Sequence, residues 1–364
     1  MRHFARFICR NAGKTSAFAL AAGLGLSAPW SGHETPKVSF GDWKIDRTAT
    51  VLVDNGHGET VRLSRKITSP VDHTQLHLRL YQYQTCPFCS KVRAFLDYYG
   101  FSYEVVEVHP VTRKQIKFTK QKKVPVLIAH GAGDLQLVDS TFIMSLLRSF
   151  MFRPDQSLQQ VYAEYPQHTT IDAKGVERVE VQNKYFVNFH EILPDKQAIA
   201  TKKEEREWRQ WVDGTFVHVI SPNVYRTWAE SIETFRWFSQ VGDWHVNFPR
   251  WEQWLAVYGG ALAMYMIAGR LKKRHKLKND VRESLYDACN VWMEAKGDRP
   301  FMGGAKPNLS DVALYGCMQS FHGTTAFAEM RTHTKIGQWY DAMDYAVKHH
   351  QGAVELVRRD PRKM

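Results

Sequence analysis

Leu76-His77-Leu78-Arg79-Leu80-Tyr81-Gln82-Tyr83-Gln84-Thr85-Cys86-Pro87-Phe88-Cys89-Ser90-Lys91-Val92 is the stretch whose reading decides the fold. The apolar run Leu76 to Tyr83 has strand character. After it comes C-x-x-C with Pro87 at the first helical position, and Val92, Phe95, Leu96 and Tyr99 then recur at helical spacing up to Gly100, placed as a C-terminal cap. At such a junction the first sulfur sits at a helix N-terminus, where free N–H groups and the macrodipole favour an anion, so Cys86 reads as a reactive thiolate. A zinc half-site and an inert buried pair compete with this reading. Zinc wants four ligands, and Cys9, Cys289 and Cys317 supply no second C-x-x-C, so no metal site is expected. Pro87 and the preceding strand favour a first sulfur exposed at a turn over an inert pair.

Downstream, Tyr103 to Val108 reads as a strand, Arg113 to Lys120 as a basic helical stretch, and Lys123 to Ala129 as a strand entered through Val124-Pro125. The order β, α, β, α, β resembles a thioredoxin-like fold of the glutaredoxin type. In that fold a cis-proline would bring backbone groups beside the sulfur; taken alone, Pro125 is an ordinary strand-entry proline. Gly131 to Leu137 reads as a hairpin into Gln136-Leu137-Val138. Asp139-Ser140 then opens the helix Thr141 to Phe150, either as a plain cap or as a carboxylate-binding N-terminus.

The chain has 364 residues, a formal charge of +12 and five cysteines. That is room for two domains plus tails, and too few cysteines for a disulfide framework; a reducing compartment suits it. Part of the charge lies in the N-terminus and part in one cluster, so nucleic acid is not implied. Residues 1–30 read as a targeting or membrane-associating segment. Arg2, Arg6, Arg10 and Lys14 recur every four residues as on a basic amphipathic helix, which points to the mitochondrion. Ala17 to Trp30 is apolar but shorter than the roughly twenty residues of a spanning helix. Residues 31–75 read as a linker with short strands around Thr50 to Val53, 76–152 as the thioredoxin-like domain, and 153–200 as a connector with turn chemistry at Asp172 to Gly175. An all-α domain, 201–350, and a basic tail, 351–364, complete the chain.

Within the helical part, Trp208, Trp211, Val212, Phe216, Val219 and Ile220 form one stripe. Trp251, Trp254, Leu255, Tyr258, Leu262, Met266 and Ile267 form another. Both are expected to be helix-packing core. Asn308-Leu309-Ser310-Asp311 reads as a capping box.

The phrase Arg299 to Gly304, then Pro307 to Asp311, resembles the start of the buried helix in glutathione-transferase C-terminal domains. Tyr81 to Asp97, with Ile220-Ser221-Pro222-Asn223-Val224-Tyr225-Arg226-Thr227, resembles the membrane-associated prostaglandin E synthase type 2 family. The similarity runs from about residue 76 to 345, with divergent stretches at Asp195 to Lys203 and Trp228 to Pro249. The resemblance implies isomerisation of prostaglandin H2, or a related lipid endoperoxide, to prostaglandin E2. It also implies a homodimer, and a Golgi membrane form with a processed soluble, cytoplasmic form. Carried over by position, the catalytic pair is Cys86 and Cys89 with Tyr83 beside them, and glutathione or another thiol reductant would meet Val124, Pro125, Asp139 and Ser140. Haem contacts would map to His218, Ser221, Arg270 and Arg274. With haem bound, the resemblance implies breakdown of the endoperoxide to hydroxy-heptadecatrienoic acid and malondialdehyde.

Read from the residues, Tyr83 is either a hydrogen-bond donor to the sulfur or alkoxide or a strand residue packing on the helix. Arg270 to Lys278 carries six Lys or Arg; such a cluster is a solvated helix end, or a phosphate or headgroup site. A glutaredoxin-like thiol transferase, with Cys89 resolving a mixed disulfide, is the alternative function.

Overall fold

Apolar strands on both sides of the Cys86 junction assemble into one mixed sheet. The computed structural model describes residues 43–357 except 47–50, 55–57, 59, 111, 120–122, 172–176 and 189–195. The segment read as a targeting helix lies outside the described residues. Strands β1 (Lys44–Asp46), β2 (Leu52–Asp54), β3 (Thr60–Arg62), β4 (Arg65–Thr68), β5 (Leu78–Gln82), β6 (Tyr103–Glu107), β7 (Val126–Ala129) and β8 (Leu135–Val138) come first. The six-stranded sheet has the order β1-β4-β6-β5-β7-β8, and β2 and β3 form a separate hairpin. The stretch read as a linker thus supplies the edge strand β1 and its neighbour β4 besides the hairpin.

β5 is central and buried throughout. It runs parallel to β6, with Leu80 opposite Val105, and antiparallel to β7, with Leu80 opposite Leu127. Both of its faces are covered, and its buried polar residues Arg79 and Gln82 are answered by Glu104 and Glu107. Helices α1 (Pro87–Tyr99) and α2 (Ser140–Phe152) pack together, and α1 ends on Gly100 at φ 81°, as its sequence predicts. The basic helix expected over Arg113 to Lys120 is a single 3-10 turn, Lys114–Ile116, among the described residues. Arg113 at φ 50° breaks the helical path, and only Ile116 of that turn is buried, so no apolar stripe holds a longer helix down.

A short helix, Leu158–Ala163, and a hairpin, Gln167–Ile171 with Glu177–Val181, form the connector; the turn read at Asp172 to Gly175 lies outside the described residues. The helical part begins with α3 (Lys196–Trp211), a π-helical turn (Val212–Phe216), α4 (Val217–Val224) and α5 (Trp228–Val241). It continues through Arg250–Trp254, a second π turn (Leu255–Gly259) and α6 (Gly260–Arg274), then α7 (Val281–Lys296) and α8 (Leu309–Gln319). Helices Thr325–His333 and Ile336–Lys348 follow, and the tail opens with a buried turn, Ala353–Val357. A thioredoxin-like sheet domain followed by a helical glutathione-transferase-like domain is the architecture expected.

The first tryptophan stripe is core: Trp208 and Trp211 meet Trp292 at 5.3 and 6.2 Å between ring centroids, and Trp292 meets Trp339 at 5.4 Å. The second stripe is not. Trp251, Trp254, Leu255, Leu262, Met266 and Ile267 are exposed, and the same helix packs inward through Ala256, Val257, Ala261 and Ala268. Helical period reports a stripe but not which side of it faces the protein. The capping box is present: Asn308 accepts from the N–H groups of Ser310 and Asp311 at 2.9 and 3.2 Å, and Asp311 returns to the Asn308 N–H at 3.0 Å. Asp311 also accepts from Met302 N–H, Gly303 N–H and Trp339 Nε1, tying the preceding turn to the tryptophan core.

Candidate active site

Cys86 is the N-cap of α1, in extended conformation, with Pro87 at the first helical position. Cys86 is a partly buried residue, whereas Cys89 is fully buried. Hydrogen bonding from the Cys89 thiol, helped by the N–H groups of Cys89 and Phe88 and by the Arg93 charge, outweighs burial and holds the Cys86 thiol below the ordinary range. Burial and the neighbouring Cys86 push Cys89 well upward. The two thiols are therefore shifted in opposite directions, Cys86 downward and Cys89 upward.

A buried polar network fixes the loop that carries Cys86. Gln82 Nε2 donates to Glu107 Oε1 at 2.6 Å, and the Gln84 N–H donates to Glu107 Oε2 at 3.1 Å. Arg93 donates to the Gln84 carbonyl and to Ser90 Oγ, both at 2.7 Å, and also to Gln82. Arg65 sits 3.5 Å from Glu107. Burial raises the Glu107 carboxyl, with the Arg65 charge opposing it. Nothing in the strand pattern singles out Glu107 or Arg93, since each reads as an ordinary polar position.

Below the site, Lys91 is 1% exposed. Its ammonium pairs with Asp213 on the first π turn and donates to Thr141 Oγ1 at 3.0 Å. Thr141 and Tyr185 hydroxyls also donate to Asp213, at 2.5 and 3.0 Å. Burial works against the Asp213 carboxylate, but the Lys91 charge and these three donors hold its pKa down. This cluster joins α1, α2, the connector and the helical domain. Alongside it α8 crosses α1 at backbone contact: a Cβ on Gly316 would lie 2.5 Å from Lys91 Cα and 2.8 Å from the Ser90 carbonyl oxygen. The available signal was Lys91 itself, a charge one turn from Phe88 and Phe95 on the apolar face of α1.

The Val124-Pro125 peptide is cis, with Pro125 buried and Val124 packed beside Tyr83 against one sheet cluster. Asp139 caps α2, accepting from the N–H groups of Thr141 and Phe142 at 2.9 and 3.3 Å, and has φ 70°. Its carboxylate is 40% exposed and meets Lys184 Nζ at 2.7 Å; Ser140 is buried at the first turn. The N–H groups of Thr141 and Phe142 are thus already capped, and what the junction offers an incoming ammonium group is the half-exposed Asp139 carboxylate. Tyr83 is half-buried. Burial raises its phenol, while the charge and hydrogen bond of Arg113 oppose that rise, so Arg113 rather than the Cys86 sulfur is its partner. A second phenol was missed: Tyr225, at the end of α4, is buried, and its pKa is raised by burial and then by the charge of Cys86.

His218 and Ser221 stand one turn apart on α4, and the His218 ring stacks on His275 at 4.1 Å. Arg270 and Arg274 are exposed, one turn apart on α6, and neither meets a carboxylate among the described residues. Burial and the adjacent His275 lower the His218 pKa. The two guanidinium groups suit carboxylates such as propionates; their geometry defines no iron ligand.

The family model described as Glutathione S-transferase, N-terminal domain, matches residues 80–150. Prostaglandin E synthase 2 from Danio rerio is 43% identical over 279 residues, 76% of this chain and 72% of that protein. Its counterpart from Mus musculus is 46% identical over 281 residues, 75% of this chain and 71% of that protein. Among solved structures, glutathione S-transferase III in apo form is 15% identical at a TM-score of 0.41, covering 76% of this chain and 97% of that one.

Proposed function

Since the chain belongs to the prostaglandin E synthase 2 family, we propose that it isomerises prostaglandin H2 to prostaglandin E2 with Cys86 as nucleophile. What supports this most is the split cysteine pair, a lowered, partly buried Cys86 beside a raised, fully buried Cys89. The Cys86 thiolate attacks one endoperoxide oxygen, an S–O bond forms, and the O–O bond breaks. The other oxygen leaves as an alkoxide and takes a proton. Loss of the hydrogen from the carbon bearing the sulfur-bound oxygen then forms the ketone and returns the electron pair to sulfur as thiolate. No net oxidation occurs.

Tyr83, on the strand side of Cys86, and the buried Tyr225 are the phenols from which the alkoxide would take its proton. Val124, Pro125, Asp139 and Ser140 would hold glutathione, whose thiol keeps Cys86 reduced. The haem contacts at His218, Ser221, Arg270 and Arg274, and the haem-linked breakdown, stay a proposal with its own test. A Soret titration of the wild type against Arg270→Glu with Arg274→Glu should show weaker binding in the variant.

The function is tested with purified protein, prostaglandin H2 and a reductant, beside a glutathione disulfide-exchange assay. Prostaglandin E2 should form and be lost in Cys86→Ser. Product surviving that substitution would sink the thiolate mechanism. The hydrogen bond between the cysteines also suits a thiol transferase, with Cys89 as resolving thiol; robust exchange without lipid product would select it.

A further inference from the structure

We propose that the outward face of the Arg250–Arg274 helix is an in-plane docking surface for an anionic lipid bilayer, a site separate from the Cys86 chemistry and from residues 1–30. Helices on the surface of a water-soluble domain turn large apolar side chains inward. Here the arrangement is reversed. Trp251, Trp254 and Met266 are 66, 65 and 63% exposed, and Leu255, Leu262, Tyr265 and Ile267 are exposed beside them. The inward side is built mainly from Ala256, Gly260, Ala261 and Ala268, with Val257 and Tyr258 packed on the Trp244 and Phe248 cluster. A Cβ on Gly260 would lie 2.5 Å from the Phe235 ring, and the buried Ala261 presents its carbonyl to Ser231 Oγ at 2.8 Å. Close backbone packing inward with bulky apolar groups outward is the pattern of a helix whose outer solvent is lipid.

By length and composition Arg250–Arg274 could cross a membrane, and only 22% of its most apolar 18-residue stretch is buried. It cannot cross alone, because it is held lengthwise against α5 by the Gly260 and Ser231 contacts. An in-plane position satisfies both facts. Tryptophan favours the membrane interface, and Trp251 and Trp254 are the most exposed large side chains of the face, with Trp228 joined to it through Tyr265 at 6.3 Å.

Charge selects the occupant. At and just past the far end of the same helix, Lys273 and Lys276 are exposed and meet no carboxylate within ion-pair distance among the described residues, beside the Arg270 and Arg274 proposed above to meet propionates. A second copy would bring the same surface to itself. The acidic residue of the helix, Glu252, faces His109 at 2.9 Å, so it offers nothing to neutralise these cations. A layer of anionic headgroups above acyl chains complements both the cationic end and the apolar stripe.

The test uses the full chain with vesicles of phosphatidylcholine alone, or with one-third phosphatidylserine, each also prepared with brominated acyl chains. The expected result is binding that favours the anionic vesicles. Tryptophan emission should be quenched by the bromines, and the extra quenching should be lost in Trp251→Phe with Trp254→Phe, a readout that attachment through residues 1–30 does not move. Met266→Glu should weaken vesicle binding about tenfold, and Lys273→Glu with Lys276→Glu should do so only on anionic vesicles. Thermal melting of each variant confirms that it folds. Equal quenching in wild type and Trp251→Phe with Trp254→Phe overturns the proposal. So does a Met266→Glu protein that loses a dimer by sedimentation while keeping its vesicle affinity, which would assign the face to a second copy.

Discussion

Around α1 the interior is close-packed and its buried charges have polar partners: Lys91 meets Asp213, Glu107 meets Arg65 and Gln82, and Gly316 lets two helices touch at their backbones. Along Arg250–Arg274 the large side chains face outward and the cations at its end stand without carboxylates among the described residues. Both are helices with a regular apolar stripe. The difference lies in what the stripe meets: α1 packs against α2 and α8, whereas the other helix gives its neighbour small residues and keeps the bulky ones on its outer side. Stability should therefore depend steeply on the first region and little on the second.

The largest effect is expected at the buried pair. Asp213→Ala leaves the Lys91 ammonium uncompensated and should cost about 3 to 5 kcal/mol in urea unfolding. Gly316→Ala pushes a methyl group into Lys91 Cα and should cost about 2 to 3 kcal/mol. An unfolding midpoint unchanged by either substitution would break the contrast.

Reactivity sharpens it. Alkylation of Cys86 by iodoacetamide, followed by peptide mass spectrometry, should be half-maximal below the pH of about 8.5 typical of free cysteine, because a lowered pKa keeps the thiolate present at lower pH. Cys89→Ala removes the chief hydrogen bond and should move that midpoint upward. Asp139→Asn keeps a capping oxygen but loses the charge, so the glutathione KM in disulfide exchange should rise while stability changes by less than about 0.5 kcal/mol. Smallest of all, Trp251→Ala should leave the unfolding free energy within about 0.5 kcal/mol of wild type, despite the size of the side chain removed.

Local signals were legible in the sequence. The Cys86 junction, the Gly100 cap, the Val124-Pro125 position and the Asn308 box each depend on residues within a few positions of one another. The π turn that brings Asp213 to Lys91 joins residues 122 apart, and the facing of the second tryptophan stripe depends on what α5 offers it. Such pairings are set by tertiary packing, which local periodicity does not encode. Lys91 on an apolar face, and Gly260, Ala261 and Ala268 opposite the bulky residues, were the traces available. The expected helix after Arg113 failed for a similar reason, since helical composition there has no apolar face to anchor it.

The central claim is that Cys86 acts as a nucleophile through a cycle with no net oxidation. Counting product against thiol consumed tests it most directly, with pre-reduced protein, prostaglandin H2 and a measured excess of glutathione. Many equivalents of prostaglandin E2 per protein with no matching glutathione disulfide is the predicted result. One disulfide formed for each product molecule would contradict it.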